Sequence, residues 1–386
     1  MDGPRFPRPA LAEDVARLAL SGPPLLLSGP PGAGKSTLLP DVAAALRRAG
    51  AVAWRLDLFF AAASPLHLAR AGAASARAAG LDERTLEPLD AAVRRGREGE
   101  VAAVKALAAL FAEARGVGDR PLVLLLDEPT ELRALGFFEG LRDVADLFAA
   151  AIARRGGRAV LATSFPTAAG RLFGSAAPCP VPPLAPDEAR AEAALRGVQA
   201  EAAIALAGGR PAALRALLDA VEPGDSLESS WVSGMAPGQP LERLLRATWE
   251  TLLLRSRSYA MAKAVLWEVA RDEGCNLTAV FRRLERSPGA VKDYLSAAVD
   301  VDVLRMDGKR YYFVDPLLRA WVRLYGAGEV PGPDALAAEA GSMLVPPPPS
   351  PARRAVARPA PAPVPPAPSA PEPARERPRD TLMEID

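Results

Sequence analysis

The chain carries a single histidine, His67, among 386 residues, which argues against a histidine-rich metal centre. It has two cysteines, Cys179 and Cys275, far apart and without metal-ligand spacing. They read as buried thiols of a protein kept in a reducing compartment. No apolar run reaches the length needed to span a bilayer, and residues 1–10 lack the apolar core of a secretory signal. The expectation is a soluble, cytoplasmic protein with no membrane contact. Charge of either sign is also missing in net terms: 47 basic residues balance 46 acidic ones, leaving +1. Any contact with nucleic acid must then come from a local patch.

Proline, by contrast, is abundant, and its 40 copies are unevenly spread. From Val345 onward the sequence is mostly Pro and Ala, opening with Pro346 to Pro349. Such a composition buries too little apolar surface to offset ordering entropy and predicts a disordered tail. The tail ends in a small apolar cluster, Leu382, Met383 and Ile385, which reads either as a protein-docking motif or as an inert end. Ahead of it the expected divisions are an N-terminal segment at 1–20, an α/β core at 21–183 and a helical lid at 184–240. A helix-and-hairpin domain is expected at 241–326, with the tail assigned to 327–386.

Residues 29–36 read Gly29-Pro30-Pro31-Gly32-Ala33-Gly34-Lys35-Ser36, a full match to the phosphate-binding loop. The apolar run Leu25 to Leu27 precedes it, and an apolar helical spacing at Leu38, Val42, Ala45 and Leu46 follows Thr37. Strand, glycine loop and helix are the context the motif needs. The glycines let backbone amides turn onto phosphates, and the helix points its positive end there. Lys35 is expected on the β- and γ-phosphates and Ser36 on Mg²⁺.

The run Leu122 to Leu126 ends in Asp127-Glu128, a Walker B pattern. Asp127 is expected to hold Mg²⁺ and Glu128 to orient the attacking water. Together with the loop this makes ATP and Mg²⁺ the expected cofactors. A further strand, Ala159 to Thr163, ends at Thr163-Ser164, either of which suits sensing the γ-phosphate or holding the lytic water. Asp57, after the strand Ala51–Leu56, reads either as a site neighbour or as a helix cap. A weaker strand is expected at Cys179–Val181. The alternation predicts a parallel α/β sheet of the P-loop NTPase kind. The string Leu125 to Thr130 also occurs in ABC transporter ATPases, but 112–120 contains nothing like their signature sequence, so that reading falls. Residues 61–118, rich in Ala and Arg, read as helical without clear boundaries.

Gly208-Gly209-Arg210-Pro211 resembles the Gly-x-Pro motif of STAND-type NTPases, whose proline lies against the nucleotide. Further on, three helices are expected at Ala260–Ala270, Leu277–Arg286 and from Pro288. Asn276 and Ser287 serve as caps to the last two. A hairpin follows, Val301–Met306 and Lys309–Val314, turning at Asp307-Gly308. This order predicts a winged helix-turn-helix. Its cations Arg282, Arg283, Arg286, Lys292, Lys309 and Arg310 suit contact with double-stranded DNA. They suit equally a solvated face on a domain that packs against protein.

The close of this region, Tyr311-Tyr312-Phe313-Val314-Asp315-Pro316-Leu317-Leu318-Arg319-Ala320-Trp321, resembles the corresponding end of prokaryotic AAA+/STAND-type ATPases, often called archaeal ATPases. Phe6-Pro7-Arg8 resembles the box that opens such chains, without its glycine. The resemblance covers residues 5–326. It implies ATP binding and slow hydrolysis as a molecular switch, a winged helix output domain and nucleotide-dependent self-association. Two features depart from the family: Glu128-Pro129-Thr130 is unlike its usual run, and no arginine finger or sensor-2 arginine stands out, with Arg171 and Arg210 as candidates.

Overall fold

The computed structural model describes residues 6–254 and 259–345. Its centre is a parallel sheet in the order β2-β4-β5-β1-β6, built from β1 (Leu25–Ser28), β2 (Val52–Asp57), β4 (Arg120–Asp127), β5 (Ala159–Thr163) and β6 (Ala177–Pro180). A short β3 (Gly116–Val117) pairs antiparallel with the start of β4. β5 is buried throughout and β4 over its last six residues, as expected for strands covered on both faces. The α/β class and P-loop type of sheet expected from the sequence are those observed.

Helices Pro9–Ser21 and Lys35–Arg48 belong to the core on one face, the first through Val15 and Ala19 and the second through Leu38, Leu39, Val42 and Leu46. The other face carries the Ala- and Arg-rich insertion between β2 and β3. It resolves into helices Pro65–Ala78, Glu83–Arg94 and Glu100–Glu113. Their starts are set by Ser64 and Asp82, whose side chains accept from His67 N and Thr85 N. Trp54 of β2, Phe111 and Phe148 meet edge to face at 4.9 and 5.3 Å and join the insertion to the sheet. Gly72 lets the insertion's helices close up, since a Cβ there would stand 2.6 Å from Leu107 Cδ1.

After β6 the chain is helical: Pro186–Leu195, Ala200–Leu206, Pro211–Asp219, Leu227–Met235 and Pro240–Leu254. Helices Tyr259–Arg271, Leu277–Leu284 and Pro288–Asp300 follow, then an antiparallel hairpin of β7 (Leu304–Asp307) and β8 (Arg310–Phe313), then helix Pro316–Tyr325. Asn276 and Ser287 cap as expected, accepting from Ala279 N and Ala290 N. The turn centres on Gly308-Lys309, one residue later than expected, with φ of 53° and 67°. Two positive φ values suit the twist of a two-residue hairpin loop. One apolar cluster runs from Phe165 to Ala340, so the helices that follow β6 and the C-terminal helices share a core.

One boundary moves. The expected tail over 327–386 does not hold as far as Leu344, because Pro333–Leu344 forms a helix that buries Leu336 and Ala340 against the helices after β6 and helix Pro316–Tyr325. Leu336, Ala340 and Met343 recur at helical spacing within a stretch whose alanines mask the pattern. The remainder, 346–386, with its apolar cluster, lies outside the described residues. No helix among the described residues is long and apolar enough to cross a membrane.

Candidate nucleotide site

The loop 29–36 leaves the C-terminal end of β1, between β5 and β6, where open α/β sheets bind ligands. Gly32 and Gly34 adopt φ of 83° and 87°. A Cβ on Gly34 would fall 3.3 Å from Thr37 Oγ1 and 3.4 Å from Pro211 Cγ, so the loop needs glycine for both conformation and clearance. Ala33 packs beneath Gly29, and Thr37 Oγ1 donates to Gly34 O at 2.8 Å. A cavity of about 470 Å³ opens over the loop. Pro31, Gly32, Gly34, Lys35, Ser36 and Thr37 line it from below. Pro211, Ala212 and Arg215 line it from the lid, with Phe6, Pro7 and Arg8 from the N-terminal side.

Lys35 is 4% exposed, and its Nζ donates to Gly29 O at 2.7 Å, Pro30 O at 3.1 Å and Ser164 Oγ at 3.0 Å. Burial lowers its pKa, while Glu128 and Asp127 work in the opposite direction. Ser164 Oγ donates onward to Glu128 Oε1 at 2.6 Å, and Ser164 N donates to the same oxygen at 2.9 Å. Glu128 itself takes a left-handed conformation with φ 47°, turning its side chain back over the end of β5. Thr163 is fully buried; its hydroxyl contacts Glu128 Oε2 at 3.4 Å and accepts from Phe165 N. Of the two hydroxyls at the end of β5, Ser164 lines the cavity and Thr163 lies behind it.

Asp127 stands in register with Asp57 of β2 and Ala162 of β5. Burial raises its pKa, opposed by a hydrogen bond from Ser36; Glu128 and Asp57 raise it further. Its Oδ1 is buried without a hydrogen-bond partner. A buried carboxylate oxygen left unpaired, beside a hydroxyl, is a donor set that suits Mg²⁺, which needs only one or two protein oxygens when phosphates and water supply the rest. Asp57 answers to both of its readings: it caps the short helix Leu58–Ala61 through Phe59 N, and its charge reaches Asp127.

Neither arginine candidate lines the cavity. Arg171 is exposed and pairs with Asp300 at 2.6 Å. Arg210 is buried and pairs with Asp315 at 2.9 Å. The arginine that does line the cavity is Arg215, one helical turn beyond Pro211, and the sequence shows that spacing. Arg8 ties the N-terminal box to the lid linker, donating to Glu188 Oε1 at 2.7 Å and to the carbonyls of Pro182 and Pro183.

Residues 10–145 match the family described as the AAA ATPase domain. A Walker-type ATPase of Pyrococcus abyssi superposes over 83% of this chain and 96% of its own, with a TM-score of 0.56 and 15% identity. Cdc6p from Pyrobaculum aerophilum covers 88% and 94% at 13% identity, with a TM-score of 0.33. No curated protein sequence matches the chain. Residues 10–145 thus resemble an AAA ATPase domain, and the chain shares its α/β fold with the Pyrococcus protein.

Proposed function

We propose that this protein binds ATP with Mg²⁺ in the cavity over residues 29–37 and hydrolyses it slowly, as a STAND-type switch in the cytoplasm. The observation that carries the reading is the chain Lys35 Nζ–Ser164 Oγ–Glu128 Oε1, at 3.0 and 2.6 Å. One hydroxyl joins the cation that would meet the phosphates to the carboxylate that would meet the water. Lys35 must give up the carbonyls of Gly29 and Pro30 to reach a phosphate oxygen. Glu128 stays held by the Ser164 amide and hydroxyl and by Thr163, in position to orient and deprotonate a water. Asp127 and Ser36 would hold Mg²⁺, which supplies charge neutralisation on the phosphates. Thr163 keeps Glu128 in place from behind. Pro211, Ala212 and Arg215 close the site from the lid.

The test is binding of a fluorescent ATP analogue and phosphate release by the full chain, followed with its mass in solution. Wild type should bind and turn over, Lys35→Ala should lose binding, and Glu128→Gln should bind without turnover. Normal turnover by Glu128→Gln would remove that residue from its role. A nucleotide-dependent change in mass would support the self-association that the family resemblance implies.

The three helices and hairpin over 259–313 are read as a winged helix used for packing against the ATPase core. Arg283 is engaged with Asp272 and Glu268, and Arg310 donates to Gly274 O. Exposed Glu285, Asp293 and Asp307 lie among Arg282, Arg286, Lys292 and Lys309. At the far end of helix Pro288–Asp300, Asp300 pairs with Arg171 and Asp302 accepts from Thr167 N and Oγ1 at 2.9 and 2.7 Å. Duplex DNA is the rival partner. Salt-dependent binding of a duplex by the full chain would favour it, and absence of binding at low salt would exclude it.

A further inference from the structure

Arg210 sits where three segments of the fold meet. Its Nη1 lies 2.9 Å from Asp315 Oδ2 and donates to Pro31 O at 3.0 Å, so one nitrogen joins the phosphate loop to the turn before helix Pro316–Tyr325. Both side chains are buried, at 3% and 7% exposure. The backbone around them is equally close. Ala212 N donates to Gly32 O at 3.2 Å, and Leu184 N donates to Gly209 O at 3.0 Å. A Cβ on Gly208 would stand 3.0 Å from Leu317 Cβ.

Asp315 divides its oxygens between two tasks. Oδ1 accepts from Leu317 N at 3.0 Å and Leu318 N at 3.2 Å and so caps the helix; Oδ2 faces the charge of Arg210. As a simple staple the pair is poorly built, because Arg210 Nε and Nη2 are buried without an acceptor. A buried ion pair with unfilled donors is held weakly against any rearrangement that supplies an acceptor.

We infer that Asp315 is a positioning residue of the nucleotide site. Acting through Arg210, it sets the phosphate loop at Pro31 and Gly32, and occupation of the loop in turn alters the hold on helix Pro316–Tyr325. The second half of this statement rests on reading the cavity as a nucleotide site; the first half does not. Coupling between the two places must be reciprocal. The Asp302–Thr167 contact provides an internal comparison, since it docks the same C-terminal region on the core and makes its hydrogen bonds away from the phosphate loop.

The experiment uses the full chain. Asp315→Asn keeps one carbonyl oxygen for the cap and removes the charge. The double variant Arg210→Met/Asp315→Asn leaves no buried charge unpaired, so the comparison survives if Asp315→Asn alone folds poorly. Asp302→Asn is the docking control. Amide hydrogen exchange is followed in peptides covering 29–36 and 316–325, with and without a Mg²⁺–ATP analogue. In the nucleotide-free protein, Asp315→Asn and the double variant should speed exchange in 29–36 by about tenfold, while Asp302→Asn leaves it unchanged. The analogue should change exchange at 316–325 in wild type and not in the double variant. Unchanged exchange at 29–36 in both Asp315 variants, or an equal rise in Asp302→Asn, overturns the inference. If 29–36 responds as expected but wild type binds no analogue, the positioning role stands and the nucleotide reading of the cavity fails.

Discussion

Ser164 Oγ lies 2.6 Å from Glu128 Oε1 and 3.0 Å from Lys35 Nζ, so a single hydroxyl bridges two ends of the site that arrive on different strands. Each partner restrains the other. Lys35 is held on the loop carbonyls, and Glu128 is held against the end of β5.

This arrangement sets the first prediction. Glu128→Gln should lower the rate of phosphate release by about 10²–10⁴-fold, the usual contribution of a positioned base, with analogue affinity changed only slightly. Ser164→Ala leaves Glu128 its hydrogen bond from the Ser164 amide and removes the one from the hydroxyl. It should lower the rate by less, about tenfold, again with binding retained. Single-turnover phosphate release against equilibrium titration separates the two effects. Loss of binding in Ser164→Ala would mean that the hydroxyl serves Lys35 more than Glu128.

Lys35 should also cost the nucleotide-free protein stability. Burial lowers its pKa from the ordinary value of 10.5, so the folded state binds its proton less firmly than the unfolded chain does. Stability therefore rises with pH between the folded pKa and 10.5 and is lost as pH falls through the folded value. Lys35→Met removes the buried charge. It should unfold at a higher denaturant concentration than wild type at neutral pH, and the difference should narrow as pH approaches 10.5. Urea unfolding at a series of pH values measures this directly. A constant difference across the series would show that Lys35 packing, not its charge, sets the effect.

Parts of this site were readable because they are local in sequence. Residues 25–36 and 122–128 each carry a strand and its functional groups within a few positions, so composition and spacing identify them without knowledge of the fold. Ser164 and Glu128 are 36 residues apart, and nothing in either neighbourhood says that they touch. Which of Thr163 and Ser164 lines the cavity depends on the direction each side chain takes at the end of β5, which the sequence does not show. Arg215 was legible in principle, four residues after Pro211 on the same helix face. Helix Pro333–Leu344 was hidden for a different reason. Its stripe is only Leu336, Ala340 and Met343, and alanines on the other faces flatten the contrast beside a run of proline.

Arg155 makes a third case. Its guanidinium is 3% exposed and donates to the carbonyls of Phe111 at 3.1 Å and Arg158 at 3.3 Å, and to those of Ala114 and Leu122. Burial pulls its pKa down to about 10, with Arg115 and Arg158 adding to the shift. It ties the helical insertion to the start of β4 and the approach to β5. Arg155→Met would leave four carbonyls without this donor and should destabilise the fold by about 3–5 kcal/mol. Guanidinium unfolding read by tryptophan fluorescence would report it. A change under about 1 kcal/mol would mean that water replaces the guanidinium at those carbonyls.

The joint between the lid and the last helix before residue 326 gives the fourth prediction. Tyr325 donates its hydroxyl to Met235 O at 2.5 Å in a buried setting and stacks on Trp321 with ring centroids 5.4 Å apart. Tyr325→Phe keeps the stacking and leaves the Met235 carbonyl unsatisfied, which should cost about 1–2 kcal/mol. Analogue affinity should not change, because Met235 and Tyr325 lie away from the residues that line the cavity. Burial raises the phenol from its ordinary value of 10.0 to about 12, with Glu242 adding to the shift. The folded state thus keeps the phenol proton at pH values where the unfolded chain releases it. The stability this gives is present in full below pH 10 and is lost as pH rises through about 12. Wild type should therefore lose stability faster than Tyr325→Phe over that window, and the gap between them should close. Parallel urea titrations of the two proteins from pH 8 upward would detect this. A gap that stays constant to pH 12 would show that the phenol is not held by the Met235 carbonyl.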